Sequence, residues 1–204
     1  MDYIYEVRDM VPKTLCKEII EKFENDYRKR QGELGSGDVD TTIKNCIDLH
    51  IGRWPQWKVQ NDRLVGIFMT AYKKYKTNLK INVFGEDKAY IVDQIFNQPN
   101  TSASGFQIQK YGVGGLFNWH IDFNPYANRI CNFIYYLNDH EACTEFLNGK
   151  KIKPEVGKIV FFPTTWVHAH RGQPVEKGNK YIITGFIFYD EESTHSSPFT
   201  VKCD

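Results

Sequence analysis

From Phe106 to Tyr189 the sequence is a succession of short runs rich in β-branched and aromatic residues. They read "FQIQKY", "LFNWHID", "RICNFIYYL", "CTEFLNG", "KIVFFP", "WVHAHRG" and "KYIITGFIFY", and Gly, Asn, Asp and Pro break the chain between them. Each run has the length and composition of a strand and is too short for an amphipathic helix. Many short strands at regular spacing leave a β-sandwich or a barrel as the architecture.

The chain before this region has a different texture. A short strand is expected at Tyr3 to Val7, and "VPKTLCKEIIEKFENDYRKR" then places Pro near its start and Leu15, Ile19, Ile20 and Phe23 at helix spacing. Leu64, Ile67, Phe68, Ala71 and Tyr72 predict a second helix, and "EDKAYIVDQIF" a weaker third. Residues 1–100 therefore read as a helical support region packed on one outer face of a β core at 101–190, with 191–204 as a tail. The whole reads as one catalytic domain of α+β, mainly β class. The Gly-, Asp- and Thr-rich segment 32–45 is a candidate lid, as is the loop after Asp122. The basic run "YKKYKTNLK" reads as a solvated helix end.

Charge and cysteine usage exclude several functions. With 26 Lys plus Arg against 25 Asp plus Glu, the net charge is +1, so no whole-molecule field draws in nucleic acid or a membrane surface. Five scattered cysteines without CxxC spacing argue against a disulfide framework and a thiolate zinc site. No secretory leader or spanning segment is evident, and a cytoplasmic location is expected.

Inside "FNWHIDFNP", His120 and Asp122 are two apart, so on a strand they share one face while Trp119 and Ile121 take the other. Alone, this pair has many harmless explanations. A third donor comes from "FFPTTWVHAHRG", where His168 and His170 again share a parity and are both candidates. Two imidazoles and one carboxylate make the facial triad of non-haem Fe(II) oxygenases, which leaves positions open for a bidentate cosubstrate and O2. A structural zinc site would close its shell. On the last strand, Lys180, Ile182, Thr184, Phe186 and Phe188 share a face. A buried Lys180 would need an anionic partner, which a dicarboxylate cosubstrate would supply with Thr184 donating to the same group. The alternative puts Lys180 in solvent at the strand mouth.

The text "YGVGGLFNWHID", "RICNFIYYLND", "TEFLNGKKIKPEVGKIVFFP" and "HRGQPVEKGNKYIITGF" resembles, in order and spacing, the 2-oxoglutarate and Fe(II)-dependent dioxygenases of the prolyl 4-hydroxylase superfamily, including small microbial and viral members. The resemblance covers about Gln107 to Tyr189. It implies a double-stranded β-helix (jelly-roll, cupin-like) core and a metal triad of His120, Asp122 and His170. His170 is preferred to His168 because "HRGQPVEKGNK" runs from it with the family's ligand-to-lysine spacing. Lys180 would bind the distal carboxylate of 2-oxoglutarate, with Tyr111, Tyr136, Thr144 and Thr184 as further cosubstrate contacts. Fe(II) is the implied metal, 2-oxoglutarate and O2 the cosubstrates, ascorbate a supporting reductant, and succinate and CO2 the coproducts.

The sequence departs from the family at Glu141-Ala142, where many relatives carry Gly-Gly. Retention of Asp122 argues against the related halogenases. The nucleic-acid demethylases hold their cosubstrate with a pair of arginines that "KYIITGF" lacks. The resemblance implies hydroxylation of an unactivated C–H bond, first of a prolyl residue in a peptide or protein, second of a free amino acid or other small molecule. A non-catalytic jelly-roll binding module is the remaining alternative. Trp54, Trp57, Trp119 and Trp166 are expected to form either an aromatic wall for a proline ring or part of the core.

Overall fold

The computed structural model describes residues 2–124 and 127–190 and the backbone of 201–202. The expected tail, apart from the backbone of 201–202, and part of the loop after Asp122 lie outside these residues. The strands are β1 (Tyr5–Val7), β2 (Arg30–Gln31), β3 (Lys44–Asn45), β4 (Ile47–His50), β5 (Thr101–Ala103), β6 (Gln107–Tyr111) and β7 (Leu116–His120). They continue with β8 (Arg129–Tyr136), β9 (Thr144–Phe146), β10 (Lys151–Ile152), β11 (Ile159–Pro163), β12 (His170–Gly172), β13 (Lys180–Tyr189) and β14 (Val201–Lys202). A larger sheet runs β1-β11-β8-β13-β6-β4-β2, with β5 and β14 beside the far end of β13, and a smaller one runs β10-β9-β12-β7-β3. All pairings are antiparallel. The two sheets face each other as a jelly roll.

The central strands β8 and β13 are buried along most of their length because each serves two cores. One parity of β8, β11 and β13, including Cys131, Phe133, Tyr135, Phe161, Ile183 and Ile187, packs outward against helices. The other parity, including Ile134, Tyr136, Val160, Phe162 and Ile182, faces the smaller sheet with Tyr111, Phe146 and Val175. This explains why "RICNFIYY" reads as a nearly continuous apolar run. Lys180, Ile182 and Thr184 share the inward face, as strand alternation predicts.

The helices cover the outward face. In α1 (Lys13–Glu24), Leu15, Cys16, Ile19 and Phe23 are buried. α2 (Lys58–Asn78) buries Leu64, Phe68, Ala71, Tyr72 and Tyr75, with Phe68 centred 4.9 Å from Phe133 and Tyr75 stacked 5.1 Å from Phe161. A shorter α3 (Tyr90–Phe96) follows. Among the described residues, no helix is long and apolar enough to cross a membrane.

Residues 1–100 are more than a helical support. They contribute β1, β2 and β4 to the larger sheet and β3 to the smaller. β1 falls within the strand expected at Tyr3 to Val7, whereas β2, β3 and β4, of two to four residues in polar text, carry too few alternations to register as a pattern. The candidate lid also shrinks. Gly32 donates its N–H to Cys46 O (2.8 Å), Lys44 and Asn45 pair with Phe117 and Leu116, and only 33–43 forms an open loop. Trp57 is fully buried on the helical side, donating Nε1–H to Asp26 Oδ2 at 2.8 Å, and Trp54 packs against the same core. Neither belongs to a wall beside the inter-sheet space.

Candidate metal centre

β7 and β12 lie side by side with His120 opposite His170, and their ring centroids are 4.3 Å apart. Asp122 follows just beyond the end of β7. Its Oδ1 lies 3.7 Å from His120 Nε2 and its Oδ2 3.6 Å from His170 Nε2. One donor atom from each of the three residues falls within 4.8 Å of the others. His120 Nδ1 is 2.7 Å from Asn118 O and His170 Nδ1 is 3.1 Å from His168 O. A carbonyl only accepts, so each Nδ1 carries a proton, and Nε2 is the ring atom that faces the centre as donor when the imidazole is neutral. Burial, reinforced by His170, pushes the His120 pKa down to about 4, which keeps this imidazole neutral and able to ligate.

Asn132 completes the support by donating Nδ2–H to Asp122 Oδ2 at 2.7 Å. His168 does not share the site. It lies in a 3-10 turn, Trp166–His168, rather than on the strand, so strand parity does not apply to it. Its ring meets Thr165 Oγ1 at 3.2 Å and the edge of Tyr3. Its backbone carbonyl alone serves the centre, through His170.

Lys180 is 2% exposed, which removes the solvent-mouth alternative. Its Nζ donates to Ala142 O (3.3 Å) and lies 4.9 Å from the Tyr111 ring centroid. An added Cβ on Gly172 would be 3.6 Å from this ammonium, so Lys180 reaches across to the strand that carries His170. No carboxylate forms an ion pair with it among the described residues, and burial lowers its pKa to about 8. Ala142, at the departure from Gly-Gly, supplies the one backbone acceptor. A buried ammonium without a counter-ion fits a site whose anion arrives with a ligand.

The flanking hydroxyls are already engaged. Tyr136 donates to Thr144 Oγ1 at 2.8 Å. Tyr111 donates to Gln109 Oε1 (2.7 Å), Gln109 Nε2–H to Gln107 Oε1 (3.0 Å), and Gln107 Nε2–H to Asp48 Oδ2 (2.8 Å). Buried Lys44 also donates to Asp48 Oδ2, at 3.0 Å, and desolvation raises the Asp48 pKa. This polar wall was missed because β3 and β4 were not recognised as strands. The parity of Gln107, Gln109 and Tyr111 in "FQIQKY" was the available signal. Thr184 is buried on the inward face opposite Gln107, but four residues of strand put its Cα about 13 Å from that of Lys180. Strand geometry therefore does not support one carboxylate shared between Thr184 and Lys180.

Next to the triad in sequence, Trp119, Ile121 and Phe123 are 41%, 45% and 47% exposed, so they are not core. Trp166 is more exposed still. The Arg171 guanidinium lies 5.0 Å from the Trp119 ring centroid and pairs with Glu145 at 2.7 Å. Arg129, also unforeseen, is stacked 3.9 Å from the centroid of Phe186.

Residues 106–188 match the family model described as "2OG-Fe(II) oxygenase superfamily". A search of curated protein sequences gave no significant match. Among solved structures, the chain is similar to the viral collagen prolyl hydroxylase of Paramecium Bursaria Chlorella virus-1, at TM-score 0.60 and 17% identity over 93% of this chain and 97% of that one. It is also similar to a Trichoplax adhaerens prolyl hydroxylase in complex with a hypoxia inducible factor peptide fragment, at TM-score 0.68 and 13% identity over 93% and 84%. A Pseudomonas putida prolyl-4-hydroxylase matches at TM-score 0.62 and 14% identity over 92% of both chains. The chain thus has a jelly-roll fold similar to that of these prolyl hydroxylases, and its residues 106–188 are similar to the 2OG-Fe(II) oxygenase superfamily.

Proposed function

We propose that the protein is a single-domain hydroxylase that uses Fe(II), 2-oxoglutarate and O2 to hydroxylate a prolyl residue in a peptide or protein, with ascorbate as a supporting reductant. The observation that carries this reading is a buried, unpaired Lys180 facing the same inter-sheet space as a three-donor cluster. Two imidazoles and one carboxylate suit Fe(II) and leave part of its coordination shell to exogenous ligands. The metal and its cosubstrates supply the oxidising power, with succinate and CO2 as coproducts.

The chain's own residues bind, orient and exclude water. His120, Asp122 and His170 hold the metal, and the carbonyls of Asn118 and His168 fix the tautomer of each imidazole. Lys180 neutralises the distal carboxylate of 2-oxoglutarate. The Tyr136–Thr144 pair and Tyr111 are buried in the same inter-sheet region as Lys180, where exclusion of water strengthens that charge contact. Exposed Ile121 and Phe123, which flank Asp122 just past the end of β7, offer apolar surface for a substrate chain, whereas Trp119 lies on the opposite face of β7 with Arg171. Prolyl hydroxylases among the similar structures support a prolyl substrate. The absence of a disulfide among the described cysteines Cys16, Cys46 and Cys143 fits a reducing, cytoplasmic compartment.

The test is to incubate the protein with Fe(II), 2-oxoglutarate and ascorbate, separately with proline-containing peptides and with free amino acids. Mass spectrometry should show one oxygen atom gained by a peptide, matched by succinate. Oxygen gained only by a free amino acid would replace the peptide reading with the small-molecule one.

A further inference from the structure

Asn132 lies on β8, 3% exposed, with its side chain beside Asp122. Its amide is oriented by chemistry: a carboxylate accepts only, so the nitrogen must face Asp122 Oδ2, 2.7 Å away. The amide oxygen is thereby turned elsewhere, and it is buried without a hydrogen-bond partner. It is one of two such buried side-chain atoms among the described residues, the other being Thr101 Oγ1. A buried unsatisfied acceptor costs about 1–3 kcal/mol, and placement on the very amide that grips a metal-ligating carboxylate gives it a use.

We infer that Asn132 is a positioning residue of the metal centre, with its N–H fixing one oxygen of Asp122 and its carbonyl oxygen accepting a hydrogen bond from a water held by the metal. This rests on the reading of His120, Asp122 and His170 as ligands. The donor must be water or substrate, because 2-oxoglutarate as its dianion and O2 offer acceptors only. A prolyl residue within a chain has no N–H and no hydroxyl, so water is the donor available at the metal whether or not a peptide is bound. With one carboxylate oxygen engaged by the amide, Asp122 is biased toward ligation through a single oxygen, which keeps coordination positions free for exchangeable ligands.

The experiment uses Mn(II) alone as probe, on the full chain, with wild type, Asn132→Leu and Asn132→Thr. Free Mn(II) is followed by electron paramagnetic resonance to give the dissociation constant. Water-proton relaxation at saturating Mn(II) reports the metal-held water. Asn132→Leu keeps the side-chain volume and removes both hydrogen-bonding functions. It is expected to weaken Mn(II) binding about 10- to 100-fold and to change the relaxation enhancement per bound ion. Asn132→Thr, a smaller change that retains a hydroxyl, is expected to fall between the two and guards against misfolding of the leucine variant, with circular dichroism checking the fold of both.

Wild-type affinity and relaxation in folded Asn132→Leu would overturn the inference while leaving the metal reading intact. Weakened binding with unchanged relaxation per ion would overturn the water contact. Wild-type protein that binds Mn(II) no better than His120→Ala would sink the metal reading and this inference with it.

Discussion

Tyr136 on the larger sheet donates its hydroxyl proton to Thr144 on the smaller, 2.8 Å away, and so ties the two layers together deep between them. Both groups are buried. Tyr136→Phe would leave Thr144 without this donor at a cost of about 1 kcal/mol, read as a lower urea midpoint. If the pair also orders the cosubstrate chamber, the same variant should raise the KM for 2-oxoglutarate several-fold while Mn(II) affinity stays at the wild-type value.

The pKa of Lys180 sets a pH signature. Its folded value of about 8 lies below the ordinary 10.5 because burial disfavours the cation. The unfolded chain therefore binds more protons between these values, so stability rises with pH across this window. The destabilisation is fully present below pH 8 and amounts to about 3 kcal/mol at most. Lys180→Met should remove this slope, stabilise the ligand-free protein near neutral pH and abolish 2-oxoglutarate binding. Denaturant titrations at pH 7 and 9.5, with and without 2-oxoglutarate, check all three outcomes. A wild-type slope equal to that of Lys180→Met would contradict the prediction.

His170 and His168 separate cleanly by metal binding. His170→Ala should abolish Mn(II) binding, whereas His168→Ala should stay within about threefold of wild type, since its side chain points to Thr165 and Tyr3. Because the free His120 imidazole titrates only near 4, proton competition at that ligand should set in as pH falls toward 4 rather than near 6.5. A Mn(II) titration series from pH 7 to pH 4.5 reads this directly.

Gly32 and Gly35 sit in the same segment and should respond unequally to alanine. A Cβ at Gly32 would stand 2.5 Å from Cys46 Sγ, whereas one at Gly35 meets nothing within 4 Å. Gly32→Ala should cost about 1–3 kcal/mol through overpacking, and Gly35→Ala should be near neutral. Thermal melting of the two variants makes the comparison.

The strands from Phe106 onward were legible because their runs are long enough to show composition and breaks. The convergence of His120 with Asp122 was legible from their spacing. His170 was separable from His168 only through the resemblance, since parity treated them alike and the 3-10 turn at Trp166–His168 leaves no mark in composition. Asn132 was hidden inside an apolar strand where a single amide looks incidental. Lys44 and Asp48 were hidden for another reason: they sit in text that resembles an open loop, and their burial depends on β7 and β6, more than fifty residues away.

Lys44 has one more effect. Its Nζ donates both to Glu33 O (2.9 Å) and to Asp48 Oδ2 (3.0 Å), so the two feet of the 33–43 segment are stapled to each other and to the sheet edge. A span held at both feet behaves as an arch rather than a hinged flap. The open room lies at the crown, where an added Cβ on Gly35 or Gly37 meets nothing within 4 Å, so a change of shape there can leave both feet in place.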